Sequence, residues 1–157
     1  MRQRKRDDFI LSTKVGWRVR ARDRRQASAP EGALPHEIEA DYSRDDTLRS
    51  VEDSLIRTGL NRLDFVLIHD IDAYNHGAEG QRLRFREAMQ GALPALAQLR
   101  DEGLVRAIGI GVSEWRVCDS VLDHASVDGF ILARGYTLLN HSPALSFLRR
   151  CSACGAG

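Results

Sequence analysis

Leu63-Asp64-Phe65-Val66-Leu67-Ile68-His69-Asp70 is a run of large apolar side chains that ends in an imidazole and a carboxylate. An apolar run of this length between polar residues is the pattern of a strand covered on both faces, as in a parallel sheet. Side chains at the C-terminal end of such a strand stand where barrels and open α/β sheets carry their chemistry. Two further stretches end in the same way. Phe9 to Thr13 runs into Lys14, and Val105 to Val112 runs into Ser113 and Glu114. A lone histidine or lysine after a strand is ordinarily a solvated loop residue. Three polar endings at the same topological place predict one rim that carries Lys14, His69, Ser113 and Glu114.

The segments between these strands read mostly as helices. Ser43-Arg44-Asp45-Asp46 has the form of an N-cap followed by first-turn acids, and Leu48, Val51, Leu55 and Ile56 make one apolar stripe as far as Gly59, a natural C-cap. Asp72 to Arg84 is polar and reads as loop. Phe85, Ala88 and Met89 suggest a short helix interrupted near Gly91, and Pro94 opens a fresh one. Gly109 and Gly111, inside a strand, mark the close approach of another backbone or a flat ligand. Trp115 to His124 reads as helix, Phe130 to Ala133 as a fourth strand, and Ala144 to Cys154 as a fourth helix with Leu145 and Leu148 on its apolar side. The order is β-α four times over, which predicts a parallel α/β sheet with right-handed crossovers. Four units make half of an eightfold barrel or a small open sheet, and a complete barrel takes about 250 residues.

Residues 1–157 read as a single domain with a long loop at 17–44. The stretch from Trp17 to Tyr42 shows neither helical nor strand period and holds five arginines between Arg18 and Arg25. A loop of this length is equally a lid over a binding site or a solvated insertion. Trp17, just past the Lys14 rim, is its residue best placed to touch a ligand.

Composition narrows the function classes. The formal net charge is +1, which gives no case for nucleic acid as the main partner. The apolar stretches are strand-sized, so no membrane span is expected. No apolar signal segment follows the basic N-terminus, and three cysteines, an odd number, suggest reduced thiols and a cytoplasmic setting. Cys151 and Cys154 have CxxC spacing, but neither a thioredoxin-like context nor a second ligand pair accompanies them, so no metal site is expected.

Several stretches together resemble the aldo-keto reductase superfamily. They are Ser12-Thr13-Lys14-Val15-Gly16, then Ser50 to Leu55 with Leu63 to Asp70, then Gly103 to Gly109. The His69-Asp70 ending, the run Gly109-Ile110-Gly111-Val112-Ser113-Glu114-Trp115, and Tyr136 to Leu139 are most similar to its sugar-dehydrogenase branch. The resemblance implies a partial (β/α)8 TIM barrel of about four βα units, the third to sixth of the family barrel. It implies hydride transfer between a nicotinamide cofactor, NAD or NADP, and a small sugar, aldehyde or alcohol, such as oxidation of L-fucose at C1 to the lactone.

The family's catalytic group is Asp, Tyr, Lys and His. Lys14 matches the lysine and His69 the histidine, whereas the Asp and Tyr belong to the first units of the barrel, so the chain alone is expected to be inactive. Ser113 matches the serine that holds the nicotinamide carboxamide, with Glu114 where the family has Asn. Asp70 could accept from substrate hydroxyls, or cap a loop. Tyr136, Tyr42 and Tyr74 are poor substitutes for the family tyrosine, because proton transfer demands hydrogen-bond reach. The alternative is a binding or regulatory remnant of the same scaffold without catalysis. Either way, open sheet edges invite self-association.

Overall fold

Six strands and five helices are present in the computed structural model, which describes residues 4–21, 36–134, 137–139 and 144–157. In order they are β1 (Ser12–Val15), β2 (Trp17–Ala21), β3 (His36–Ala40), α1 (Arg44–Thr58), β4 (Leu63–His69), α2 (Ala73–Glu87), α3 (Leu93–Asp101), β5 (Val105–Val112), α4 (Trp115–Leu122), β6 (Gly129–Leu132) and α5 (Leu145–Cys154). Strands β1, β4, β5 and β6 pair in that order, all parallel. Parallel neighbours need a crossover between them, and here each crossover contains helix. The four βα units expected from the sequence are therefore present.

Side chains alternate across a sheet, and from Val66 and Ile108 onward the alternation sorts this one, whereas Leu63 and Val105 at the strand starts join the same core from the other parity. Val66 and Ile68 of β4, Ile108, Ile110 and Val112 of β5, and Phe130 and Leu132 of β6 pack into one cluster with Val51 of α1, Leu96 and Leu99 of α3, Val117 and Val121 of α4 and Phe147 of α5. Each such side chain, fully buried, contributes about 1.5 to 3 kcal/mol. The intervening positions face away from the helices and hold Lys14, Leu67, His69, Ala107, Gly109, Gly111, Gly129 and Ile131. Around Gly109, Gly111 and Gly129 that face carries no side chain, and Phe65, Leu67 and Ile131 supply most of its apolar bulk. A Cβ added at Gly109 would lie 2.2 Å from the Gly129 carbonyl oxygen and 2.8 Å from the Phe65 ring. The expected close approach at Gly109 is thus of backbone and of an aromatic ring.

The opposite end of the sheet is tied by charge. Asp64, almost wholly buried, accepts from the Leu11 N–H at 2.8 Å and pairs with Arg6 at 2.6 Å. Burial alone would raise its pKa, but the Leu11 N–H and Arg6 outweigh burial and hold the carboxyl below its ordinary value.

Helix α1 is capped as its sequence predicts. Ser43 accepts from the Asp46 N–H, and Gly59 closes the helix at φ +68°. Its stripe differs at one position, since Ile56 faces solvent. In α5 the buried residues are Phe147 and Cys151, not Leu145 and Leu148. Cys118 of α4 is buried as well, and Cys154 is exposed.

Three segments differ from their sequence reading. The stretch 17–44 is not one loop. Strands β2 and β3 form an antiparallel hairpin with Trp17 opposite Ala40 and Val19 opposite Ile38, while the loop reading at 22–35 lies outside the described residues. Trp17, Val19 and Ala21 do alternate with Arg18 and Arg20, a short period-two signal. Asp72 to Arg84 is not loop but mostly α2, which starts from an Asp72 N-cap, is broken at Gly77 (φ +69°) and buries no residue fully, Phe85 alone packing partly against the core. From Ala88 to Ala92 the chain makes a π-turn and runs on into α3, so Gly91 does not break the helix. A Cβ at Gly91 would sit 2.5 Å from the Tyr42 carbonyl oxygen, which is what requires glycine there.

Of the two edges expected to be open, one is partly paired. The Phe130 N–H donates to the Gly157 carbonyl at 2.9 Å, and the Gly157 N–H donates to the Asp128 carbonyl at 3.0 Å, along the outer side of β6.

Candidate active site

The register brings the predicted rim together. Lys14 stands beside Leu67, and His69 stands opposite Gly111, at the C-terminal ends of three adjacent parallel strands. A Cβ placed on Gly111 would meet the Lys14 Cε and the His69 Cδ2, each at 3.8 Å. Amine stem and imidazole therefore converge on one bare patch of backbone. Burial lowers the His69 pKa from its ordinary value, and the Lys14 ammonium pushes it the same way, against the carboxylates of Asp70 and Asp72. The ring is thus neutral near pH 7 and able to donate from one nitrogen.

Asp70 sits in the left-handed region at φ +58°, a conformation that aspartate tolerates better than most residues. Its N–H donates to the Gly111 carbonyl at 2.9 Å, and its Oδ1 lies 3.3 Å from His69 Nε2. Asp70 consequently faces its neighbour's imidazole, whatever else it contacts.

Ser113 is positioned by a residue the sequence reading passed over. Asp72, wholly buried, accepts from the Ser113 N–H at 2.6 Å and also caps α2 through the Asn75 N–H at 3.2 Å and the Asn75 Nδ2 at 2.8 Å. Glu114 returns the contact, its Oε2 accepting from the Ala73 N–H at 2.8 Å. One Glu114 oxygen is therefore already committed to the first turn of α2. Neither the Lys14 ammonium nor the Ser113 hydroxyl has a hydrogen-bond or ion-pair partner among the described residues. Lys14 and Ser113 stand at strand ends on either side of the β4 end that bears His69.

Trp17 reaches the same neighbourhood, its indole stacked on the His76 imidazole with ring centroids 5.4 Å apart. His76 in turn lies 3.2 Å from the Tyr42 hydroxyl. Burial pushes the Tyr42 phenol far above its ordinary value, so Tyr42 is no proton donor or base near neutral pH. Tyr74 is exposed at the surface, and Tyr136 lies outside the described residues. The described arginines of the 17–44 stretch are paired with carboxylates: Arg18 with Asp46 at 2.8 Å and Arg20 with Glu39 at 2.7 Å. Among the described residues no group of three or more His, Cys, Asp or Glu is arranged to hold a metal ion. No helix among them is long and apolar enough to cross a membrane.

A model of the aldo/keto reductase family matches residues 2–157. The chain belongs to the aldo/keto reductase family. Among relatives, it is 30% identical over 158 residues to the D-threo-aldose 1-dehydrogenase of a Pseudomonas species, covering 97% of this chain and 45% of that protein. It is 29% identical over 161 residues to the pyridoxal 4-dehydrogenase of Microbacterium luteolum, covering 94% and 46%. The chain thus spans about half the length of these aldo/keto reductase relatives.

Solved structures give the same proportion. The holo form of the aldo-keto reductase AKR11C1 from Bacillus halodurans superposes with a TM-score of 0.68 at 21% identity, over 99% of this chain and 43% of that one. The glycerol dehydrogenase AKR11B4 from Gluconobacter oxydans gives 0.63 at 18%, over 97% and 39%. Four parallel βα units in this aldo/keto reductase chain are part of the family's (β/α)8 barrel.

Proposed function

We propose that this chain supplies the third to sixth units of a nicotinamide-dependent aldose dehydrogenase, in which Lys14 and His69 act at the reacting carbon. The observation that carries this reading is the convergence of Lys14 and His69 over Gly111. A bound NAD or NADP would supply the hydride acceptor, with Ser113 and the free oxygen of Glu114 holding its carboxamide. A carboxylate accepts from an amide NH2 but cannot donate to its carbonyl, so Ser113 carries the donor role alone. The Lys14 ammonium stabilises the phenolate of a tyrosine brought beside it, which lets that group take a proton from the substrate hydroxyl at neutral pH. Neutral His69 donates to the same substrate oxygen and fixes its direction. Trp17 and Asp70 line the entrance, where a sugar ring offers an apolar face to the indole and hydroxyls to the carboxylate. An aldose such as L-fucose, oxidised at C1, would leave as the lactone.

The activity is proposed for an assembled barrel in which a tyrosine stands beside Lys14. The free outer edge of β1 offers a place for further strands, from a second copy or from other units. Light scattering across a concentration series tests the second-copy route, and a monomer at every concentration would remove it. For the chemistry, NAD and NADP are titrated against the chain while His69 and Lys14 resonances are followed, and formation of reduced cofactor from the oxidised form is then followed with L-fucose, other aldoses and pyridoxal. Cofactor-induced shifts at both residues, and turnover in an assembled barrel that H69A and K14M each abolish, are expected. Binding that leaves both residues unperturbed would overturn the reading, and binding without turnover in any assembly would favour the non-catalytic one.

A further inference from the structure

The end of β4 is gripped from beneath by a side chain the proposed chemistry does not use. Tyr42 is wholly buried, and its hydroxyl donates to the His69 carbonyl at 2.7 Å while lying 3.1 Å from the Asp70 carbonyl. A hydroxyl has a single proton to give, so at the 3.2 Å contact with His76 Nε2 the imidazole is the donor. The Trp17 indole covers the other side of that imidazole. The phenol ring itself is clamped. A Cβ at Gly16, where φ is +109°, would lie 2.3 Å from the Tyr42 Cε1, and one at Gly91 would lie 2.5 Å from the Tyr42 carbonyl oxygen. Tyr42 is thus a fixed post whose one free proton points at the backbone of His69.

We propose that Tyr42 is the positioning residue for His69. Its hydroxyl holds the His69 carbonyl, just before the step where Asp70 turns left-handed, and so sets the direction in which the imidazole leaves β4 towards Lys14. This rests on the reading of His69 as the group that meets substrate. The ring of Tyr42 fills space, and the hydroxyl sets geometry. Charged groups face both ends of the contact: Lys14, Asp70 and Asp72 around His69, and Asp70, Arg84, Asp72 and Glu87 around the Tyr42 hydroxyl. The titration midpoint of His69 therefore reports how deep the imidazole lies and how near to Lys14.

The test is an NMR titration of His69 in the full 157-residue chain. The unmodified chain is expected to titrate below the ordinary histidine value of about 6.5, and Y42F, which keeps the ring, to raise the midpoint towards that value as the imidazole swings into water. V51A, which thins the core at α1 far from the rim, leaves the midpoint in place. A Y42F curve that overlies the unmodified one, or a V51A shift as large as that of Y42F, overturns the proposal. K14M separates it from the reading beneath it: removal of the ammonium raises the His69 midpoint if the two share a pocket, and no change would sink the shared pocket whatever Y42F does. Should Y42F fail to fold, the hydroxyl proton is measured directly in the unmodified chain. Exchange with water slow enough to give a resolved signal that cross-relaxes to the Asp70 amide supports the proposal, and exchange as fast as that of the exposed Tyr74 overturns it.

Discussion

The Asp72 carboxylate takes the Ser113 N–H at 2.6 Å, although the two residues stand 41 apart in the chain. Through this bond and its counterpart from Ala73 to Glu114 at 2.8 Å, each of two neighbouring strand ends supplies a carboxylate to a backbone N–H of the other. Each carboxylate also meets the positive end of a helix dipole at α2. The β4 and β5 ends, which bear His69 and Ser113, are in this way fixed relative to each other.

Breaking that exchange has a graded cost. D72A leaves the Ser113 N–H without its acceptor and α2 without its cap, and is expected to destabilise the chain by about 2 to 4 kcal/mol. D72N, which keeps one acceptor oxygen, costs about 1 kcal/mol. E114A removes only the contact at Ala73 and costs about 1 kcal/mol. Urea unfolding of the three variants checks the ranking.

Two glycines of β5, two residues apart, respond in opposite ways to the same methyl group. At Gly109 the added carbon meets a carbonyl oxygen at 2.2 Å, and G109A is expected to lose about 3 kcal/mol or to fail to fold. At Gly111 the nearest atoms are 3.7 and 3.8 Å away. There the alanine chain loses backbone freedom only in its unfolded state, so G111A is expected to be neutral or more stable by about 0.4 to 1 kcal/mol. The same methyl covers the floor between Lys14 and His69 and should weaken cofactor binding. Thermal melts and cofactor titration of the pair distinguish the two.

Acid weakens the lower end of the sheet first. Asp64 has its pKa held down in the folded chain, so it contributes stability above its unfolded value of about 3.9, and that contribution is lost as pH falls through the folded value. D64N should cost about 2 to 3 kcal/mol at neutral pH, where Arg6 is left with an amide. Below pH 4 the gap between D64N and the unmodified chain should narrow. Denaturation midpoints measured at several pH values give both readings.

A buried ion pair helps to hold the hairpin to α1. Asp46 is buried beside Arg18 at 2.8 Å, and burial, with Asp41 nearby, raises its pKa. R18A leaves that carboxylate without its cation and should cost about 2 kcal/mol. Lowering the pH protonates Asp46 and should restore part of the loss. D46N in the R18A background tests the coupling, since the double variant should be more stable than R18A alone.

The strand ends were legible because a covered parallel strand is an unbroken apolar run, and because Lys14, His69 and Ser113 each interrupt one at its end. α2 was illegible for the converse reason. It lies on the outside with no fully buried residue and is broken at Gly77, so the hydrophobic period that announces a helix is missing. The hairpin of β2 and β3 hid behind its own arginines, although Trp17, Val19 and Ala21 keep step with Ala40 and Ile38 across it. The roles of Asp72 and Tyr42 are not legible locally because they lie in partners far along the chain, Ser113 for one and His69 for the other. An Asp three residues before an Asn was the one local hint at the first, as an N-cap.

The three thiols divide by accessibility into a surface group and an enclosed pair. Burial pushes Cys118 up to about 12 and raises Cys151 too, so neither forms the thiolate that reacts with alkylating reagents. Cys154 is therefore the natural attachment point for a single fluorophore on the folded chain. The slower uptake of reagent by Cys118 and Cys151 would then time the parting of α4 from α5, a clock for local opening that needs no added probe.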